Sequence, residues 1–428
     1  MDLADYFWVL LLIMCLIQFS NAWIYPSASE AMVNSLRVTK VLGVPFQTSL
    51  WLLIVAGLAM LGHQIGFDSY VRVVRLVLPY WGLGMLAALF GFNPPGSVVT
   101  LLLWALMITG ATCTALSIPG NRIIKLMCGT LGGVMVLSVL VVLLLPDVGK
   151  EVYGTTTVWR GAFVSKNTYG WVAALTLVIS VAALDRDNRR WTASAALLSV
   201  VGLLGSGSKG AFVAALATLC YLGLIRWSAR RLSPGFGVFA VLGVLVTATV
   251  AALLVMPMVV EMLGRDMTLT GRTQVWGLYF NSMMKSPWLG EGPGAYSSLS
   301  PFTAPLAAKL QSLGNIVTPH NVFLGVLGDT GLFGLCTFML IMGYLTIVLP
   351  LYRPGRGAWM CAAVGFQILS HGLVETHEVL SPGLGWFLLM LSYTVSCKEQ
   401  REQRNAAAMA EQQPTARTEQ RHALREVA

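Results

Sequence analysis

The sequence predicts an all-α polytopic membrane protein with about 12 transmembrane helices and one long loop. Three observations carry that expectation. Of the 428 residues, 56% are hydrophobic and 11% charged, against about 25% charged in a soluble domain, so the chain lacks the polar surface that keeps a soluble protein dispersed. The apolar residues come in long runs rather than alternating, which excludes a β-barrel. Lys and Arg gather in alternate short connections, as the positive-inside rule asks of a helical membrane protein. A soluble enzyme, a nucleic-acid-binding module and a disordered chain are thereby excluded. The net charge of +9 is read as basic cytoplasmic loops, with no nucleic-acid partner.

A spanning helix needs about 20 mostly apolar residues. The candidates, in order, are 6–25, 48–66, 73–92, 97–118, 123–145, 167–184, 191–207, 209–226, 235–258, 331–351, 357–374 and 381–397. The first run follows Asp2 and Asp5 rather than basic residues and lacks a small-residue cleavage site, so it is expected to be a retained helix. The amphipathic segment 27–47 is left outside the bilayer core. Spans 167–184 and 191–207 are short and interrupted by Gly and Ser.

With the N-terminus in the cytoplasm, alternate loops carry Arg72/Arg75, Arg122/Lys125, Arg186/Arg189/Arg190, Arg226/Arg230/Arg231 and Arg353/Arg356, while 93–96 and 375–380 carry no Lys or Arg. Both termini are therefore expected to be cytoplasmic. The chain divides into a transmembrane domain, 1–397, with its long loop at 259–330, and a polar cytoplasmic tail, 398–428. The tail holds six Lys/Arg and five Asp/Glu with few large apolar residues, which predicts a solvated or loosely helical segment. All seven cysteines lie in apolar runs or at their ends with no CxxC pair, and read as small hydrophobes.

Function is sought where polar residues break the apolar pattern on the outer face. Three segments do so: 146–170, the connection GSGSKG at 205–210, and the long loop. Arg160, Lys166, Lys209, Arg265, Arg272, Lys285 and Lys309 all stand on the side where positive charge is otherwise avoided. Lys209 has Gly205, Gly207 and Gly210 around it and precedes an apolar run; small residues, a cation and a helix N-terminus together suit a phosphate. Arg160 repeats the pattern between Trp159 and Gly161. Within 271–288 the apolar residues Val275, Trp276, Tyr279, Phe280, Met283 and Met284 form a stripe that predicts an amphipathic helix at the membrane interface, ended by Pro287 and followed by a Gly290–Gly294 turn.

His320 follows Pro319 where the loop returns to an apolar run, and an imidazole is the side chain suited to proton transfer near neutrality. Glu375 is the carboxylate best placed to orient it. His371, Glu375 and Glu378 have the spacing to share a helix face, but no HExxH or second acidic pair accompanies them, so no metal site is expected.

Taken together, WRGAFVSKNTYG at 159–170, GSGSKGAF at 205–212, TGRTQVW at 270–276, SPWLGEGPGAY at 286–296 and TPHNVFLGVLGDTGLFG at 318–334 resemble, in order, the motifs of the O-antigen ligase/polymerase superfamily. The resemblance covers about residues 150–350, and the first third of the chain supports it by hydropathy alone. The WRGxFxxKN form is most similar to the exopolysaccharide polymerase branch.

The resemblance implies a GT-C-like glycosyltransferase on the periplasmic face of a bacterial inner membrane, metal-independent, inverting and without a cofactor. Its implied donor is an undecaprenyl-pyrophosphate-linked glycan and its implied acceptor a glycan or lipid A-core, with a chain-length regulator as a further partner. By motif position, Arg272 and His320 match the Arg of the GR motif and the His of the HN motif. Lys209 stands where ligases commonly have Arg, and an ammonium cannot make the bidentate fork. The expected roles are pyrophosphate binding by Arg160, Lys166, Lys209 and Arg272, and activation of the acceptor hydroxyl by His320 with support from Glu375. The alternatives are an O-antigen ligase, or, from another class, a lipid-linked glycan flippase or transporter, which should show charged or broken helices near the bilayer midplane.

Overall fold

A computed structural model describes residues 3–22, 24–26, 38–40, 43–64, 66–153, 156–262, 272–297, 303, 305, 318–375 and 379–426. The described residues form a helical bundle with two small hairpins. In chain order the helices are α1 (Leu3–Ser20), α2 (Gly43–Gln64), α3 (Phe67–Val74), α4 (Leu78–Phe90), α5 (Pro94–Ser117), α6 (Gly120–Leu144), the single turn α7 (Pro146–Gly149), α8 (Lys166–Ala182), α9 (Arg189–Ser206), α10 (Lys209–Arg231), α11 (Pro234–Met262), α12 (Arg272–Met283), α13 (Val322–Gly343), a π turn (Tyr344–Val348), the short α14 (Leu349–Tyr352), α15 (Arg356–His371) and α16 (Leu384–Glu426). The hairpins are β1 (Ile24–Pro26) with β2 (Val38–Lys40) and β3 (Lys150–Tyr153) with β4 (Thr156–Trp159), both antiparallel.

Each of the twelve expected spans holds a helix. Seven helices among the described residues are long and apolar enough to cross a membrane, or eight if α3 and α4, bent by 69°, count as one span. Two of the helices not among these seven are too short. Helix α8 has 17 residues and α15 has 16, so each reaches only about 24–26 Å against a hydrocarbon core of about 30 Å. Helix α8 compensates by position. Its residues from Tyr169 to Ser180 are all buried, packed on α9, α10 and α15, so it is a central strut sheathed in protein.

The ends of these helices follow local sequence. Asn93 caps α5, ahead of Pro94 and Pro95; Ser165 caps α8 through Thr168 N; and the Asn321 side chain accepts from Phe323 N and Leu324 N to start α13. The core is aromatic where α4, α5, α13 and α16 meet: Tyr80 stacks on Trp386, and Trp104 meets Trp386 edge-on at 5.4 Å between ring centroids. Cys15, Cys113, Cys128 and Cys361 are buried as expected of small hydrophobes, whereas Cys220 and Cys336 are exposed on the bundle surface.

The tail, expected to be solvated or loosely helical, is helical, since α16 runs from Leu384 to Glu426 with residues 401–409 exposed. Its Ala, Glu, Gln and Arg residues are strong helix formers, which outweighs the absence of a core. The span placed at 331–351 begins nine residues earlier, at Val322, and is broken at Gly331, which adopts φ 65° and ψ −169°. The break is sealed by the glycine turn after α12. Glu291 N and Gly292 N donate to Gly328 O and Asp329 O, and Leu332 N and Phe333 N donate to Pro287 O and Trp288 O. A Cβ on Gly331 would lie 2.2 Å from the Trp288 carbonyl, so glycine is required there for both conformation and space. Asp329, fully buried, accepts from Gly294 N, Tyr296 N, Ser297 N and the Ser297 hydroxyl, and so clamps the turn into the break.

Loop charges gather at the end of the bundle opposite this turn. Arg122 pairs with Asp5, Arg356 with Asp185 and Glu399, and Arg353 donates to Gln400. That places the start of α1, the connections at 118–122 and 183–189, the 353–356 turn and the start of the tail together. The other end carries the polar segments singled out from the sequence.

Candidate active site

The N-termini of α8 and α10 lie side by side at that second end. Gly170 of α8 faces the α9–α10 connection so closely that a Cβ would be 2.5 Å from Ser208 Cβ. Both helices begin with a lysine, Lys166 and Lys209, each preceded by a serine. Helix N-termini carry partial positive charge, so two of them bearing lysines make a strongly electropositive corner.

The β3–β4 hairpin covers this corner. Trp159 fills the space over Gly205 and Val158 the space over Gly207, while Val374 fills that over Gly210. The space beside these three glycines is thus taken by protein side chains. Gly207 itself is the left-handed residue that ends α9.

Arg160 follows the hairpin. Its backbone N donates to Gly149 O and its Nε to Val148 O at 2.6 Å, which fixes the stem of the side chain. Glu151 on β3 is the carboxylate among these cations. It accepts from Lys166 N at 3.3 Å, and burial pushes its carboxyl above the usual range against the opposing pull of that N–H, Arg160 and Lys166. The charges of Glu151 and Lys209 both act on Lys166. Arg160 and Lys166 from one motif and Lys209 from another are therefore one cluster.

His320 and Glu375 meet beside it. His320 Nδ1 lies 2.9 Å from Glu375 Oε2, with the imidazole side chain 33% exposed and the carboxylate 13%. An ionised carboxylate only accepts hydrogen bonds, so the imidazole donates from Nδ1 and leaves Nε2 as the acceptor. The segment that presents His320 is tightly held. His320 adopts φ 47°, in the left-handed region. Pro319 O before it accepts from the Trp276 indole at 2.9 Å; Asn321 after it donates to Leu373 O; and Val322 N donates to Gly372 O. Strain of this kind persists where surrounding contacts over-determine the backbone, as they do here. Glu375 is positioned from the other side by its own N–H, which donates to His371 O at the end of α15.

Arg272 is the first residue of α12, one helical turn before Trp276, and its side chain lies outside the described residues. The α12 helix is tied to the site through Trp276, and its Val275–Tyr279–Met283 face packs on Ala295 and Tyr296. The predicted stripe is thus split: that face is core, while Phe280 and Met284 are exposed. Arg265, Lys309 and Glu378 lie outside the described residues. His371 is buried and stacked on Trp171, with centroids 4.7 Å apart, so it does not share an open face with Glu375. Among the described residues no three His, Cys, Asp or Glu side chains gather as metal ligands.

Two contributors went unnoticed in the sequence. Asn167 donates from Nδ2 to Glu375 Oε1 at 3.2 Å; its signals were its place after Lys166 at a helix start and at the end of the WRGxFxxKN form. Asp329, hidden in an apolar run, holds the turn that shapes α13.

Residues 194–339 match the family model described as O-Antigen ligase. The matched segment begins inside α9 and ends inside α13, so it takes in Lys209, Arg272 and His320 and leaves out Arg160, Lys166 and Glu375. No curated protein matches the chain. Within a helical bundle apolar enough to lie in a membrane, the chain thus carries, at 194–339, a segment similar to the O-antigen ligase domain, which supports the resemblance to the O-antigen ligase/polymerase superfamily.

Proposed function

We propose that the protein is a metal-independent, inverting glycosyltransferase that extends a surface polysaccharide from an undecaprenyl-pyrophosphate-linked glycan. The family match supports a ligase- or polymerase-type role in polysaccharide synthesis. The observation that carries the finer reading is the His320–Glu375 pair beside the cationic starts of α8 and α10. A hydroxyl must lose a proton where a pyrophosphate leaves, and these two groups supply the base and the counter-charge.

In this reading Lys166, Lys209, Arg160 and Arg272 hold the pyrophosphate, which stabilises the charge that grows on the leaving group. Nε2 of His320 takes the proton of the acceptor sugar hydroxyl. The hydroxyl oxygen bonds to the anomeric carbon as the bond from that carbon to the pyrophosphate oxygen breaks. Undecaprenyl pyrophosphate leaves and configuration inverts. Glu375 fixes the imidazole tautomer and stabilises the imidazolium that forms. The reading includes a GT-C-like bundle of twelve spans in the inner membrane, with both termini and the tail 398–428 in the cytoplasm. It puts the site, including the 259–330 region, at the periplasmic face. The arginine-rich end of the bundle, where Asp5 and Glu399 also lie, is then cytoplasmic.

A ligase reading is favoured by the family description itself, and the acceptor decides between the two. The transporter reading gains one expected feature, the broken helix with buried Asp329, but the break is filled by residues 287–292 rather than opening on a cavity. A reconstituted assay tests all three. Purified protein receives undecaprenyl-pyrophosphate repeat units, with and without lipid A-core and with chelator throughout. A ladder of lengthened lipid-linked glycan without lipid A-core is the expected result. Product only with lipid A-core would make the protein a ligase, and no product with intact protein would overturn the transferase reading.

A further inference from the structure

Asn167 stands between the His320–Glu375 pair and the start of α10. Its Nδ2 donates to Glu375 Oε1 at 3.2 Å, and its Oδ1 accepts from the Ser208 hydroxyl at 3.5 Å. Chemistry fixes the orientation of this amide. Turned over, its oxygen would face the carboxylate, where only repulsion is available, while the Ser208 hydroxyl can donate or accept. Glu375 therefore receives one N–H on each oxygen, from Asn167 on Oε1 and from His320 on Oε2.

We propose that Asn167 is a positioning residue for proton transfer: it holds Glu375 turned toward His320, so that the imidazole proton stays on Nδ1 and Nε2 faces the acceptor, and through Ser208 it ties this pair to the helix start that carries Lys209. The kinetic part rests on the transferase reading; the tautomer part does not. The titratable groups around the amide are Glu375 and His320, Lys166 next to it in the chain, Lys209 beyond Ser208, Glu151 against Lys166, and His371, whose carbonyl accepts from Glu375 N.

The test uses the full chain in nanodiscs with ¹⁵N-labelled histidine, His320 being assigned by its loss in His320→Ala. Wild type should show His320 as the Nδ1–H tautomer. Asn167→Ala should convert it to a tautomer mixture. Asn167→Asp sets two carboxyl groups together, which raises the affinity of one of them for a proton. Its His320 signal should gain a pH-dependent step that wild type lacks. Asn167→Asp combined with Glu375→Gln restores an amide–carboxylate pair in reverse order and should recover the Nδ1–H tautomer.

In transfer assays with undecaprenyl-pyrophosphate repeat units, Asn167→Ala should lower kcat by roughly 10- to 100-fold and leave the donor KM within about twofold. An unchanged tautomer and titration in both single variants would overturn the proposal, whatever the activity. A loss of kcat without any change at His320 would also overturn it, leaving Asn167 a packing residue. Wild type that shows the expected tautomer but transfers nothing would overturn the transferase reading and leave the positioning role standing.

Discussion

The two ends of the bundle both collect charge, and they treat it differently. At the arginine-rich end, cations are matched: Arg356 meets Asp185 and Glu399, and Arg122 meets Asp5. Arg226 lies over the Trp359 ring and donates to the last carbonyls of α8. A crevice of about 740 Å³ opens there, lined by Arg226, Arg230 and Arg356 and equally by Asp185, Glu399 and Glu402. At the site end, Arg160, Lys166 and Lys209 lie around the half-buried carboxylate Glu151, and Glu375 is engaged by His320 and Asn167. Paired charges fasten loops. At the site end Lys166 and Lys209 stand at two neighbouring helix starts, an arrangement that in the transferase reading receives the donor pyrophosphate.

The sharpest way to break that comparison is at the base. His320→Asn keeps a residue that tolerates the left-handed backbone and removes the proton acceptor. Transfer should fall by roughly 10²- to 10⁴-fold with unchanged membrane levels, measured as initial rates of glycan lengthening; full activity would remove His320 from the chemistry. Next in size is the cation cluster. Lys209→Ala should raise the donor KM by roughly tenfold, the scale of a lost hydrogen bond to a charged group. Arg230→Ala at the opposite end should leave that KM unchanged. Equal effects from the two would erase the contrast between the ends.

A third test concerns what holds the site end together. Gly331→Ala should destabilise the protein by about 1–3 kcal/mol, read as a lower thermal midpoint in detergent, because its Cβ would strike the Trp288 carbonyl. The smallest expected effect is that of Trp276→Phe, which loses the indole N–H to Pro319 and keeps most of the ring. It should cost about 1 kcal/mol of stability, together with a several-fold drop in kcat as the bend at His320 loosens. An unchanged kcat would sever α12 from the base.

Much of this molecule was legible in its sequence, and what was not has a common cause. Apolar runs announced a helix at each expected span, and Lys209, Arg160 and Lys166 were readable as cations out of place. His320 and Glu375 were each visible, but 55 residues separate them, and only the fold shows that they touch. The role of Asn167 was not readable, although the WRGxFxxKN form contains it, because one amide at a helix start resembles an ordinary polar residue until its partner is known. Asp329 was lost in the run from Val322 to Gly343, where a buried carboxylate looks like an anomaly until four donors are found around it. Short buried helices such as α8 could not be sorted from spans in the sequence, because apolar composition reports burial in protein as readily as burial in lipid.

The seal across Gly331 bears on how the protein is made. A membrane helix can usually enter the bilayer alone, since it satisfies its own backbone. Helix α13 cannot be finished that way: the carbonyls of Gly328 and Asp329 and the N–H groups of Leu332 and Phe333 find their partners in residues 287–292, which leave the ribosome earlier. Completing that helix and seating the preceding turn are therefore coupled, and the helix they complete is the one that starts beside His320.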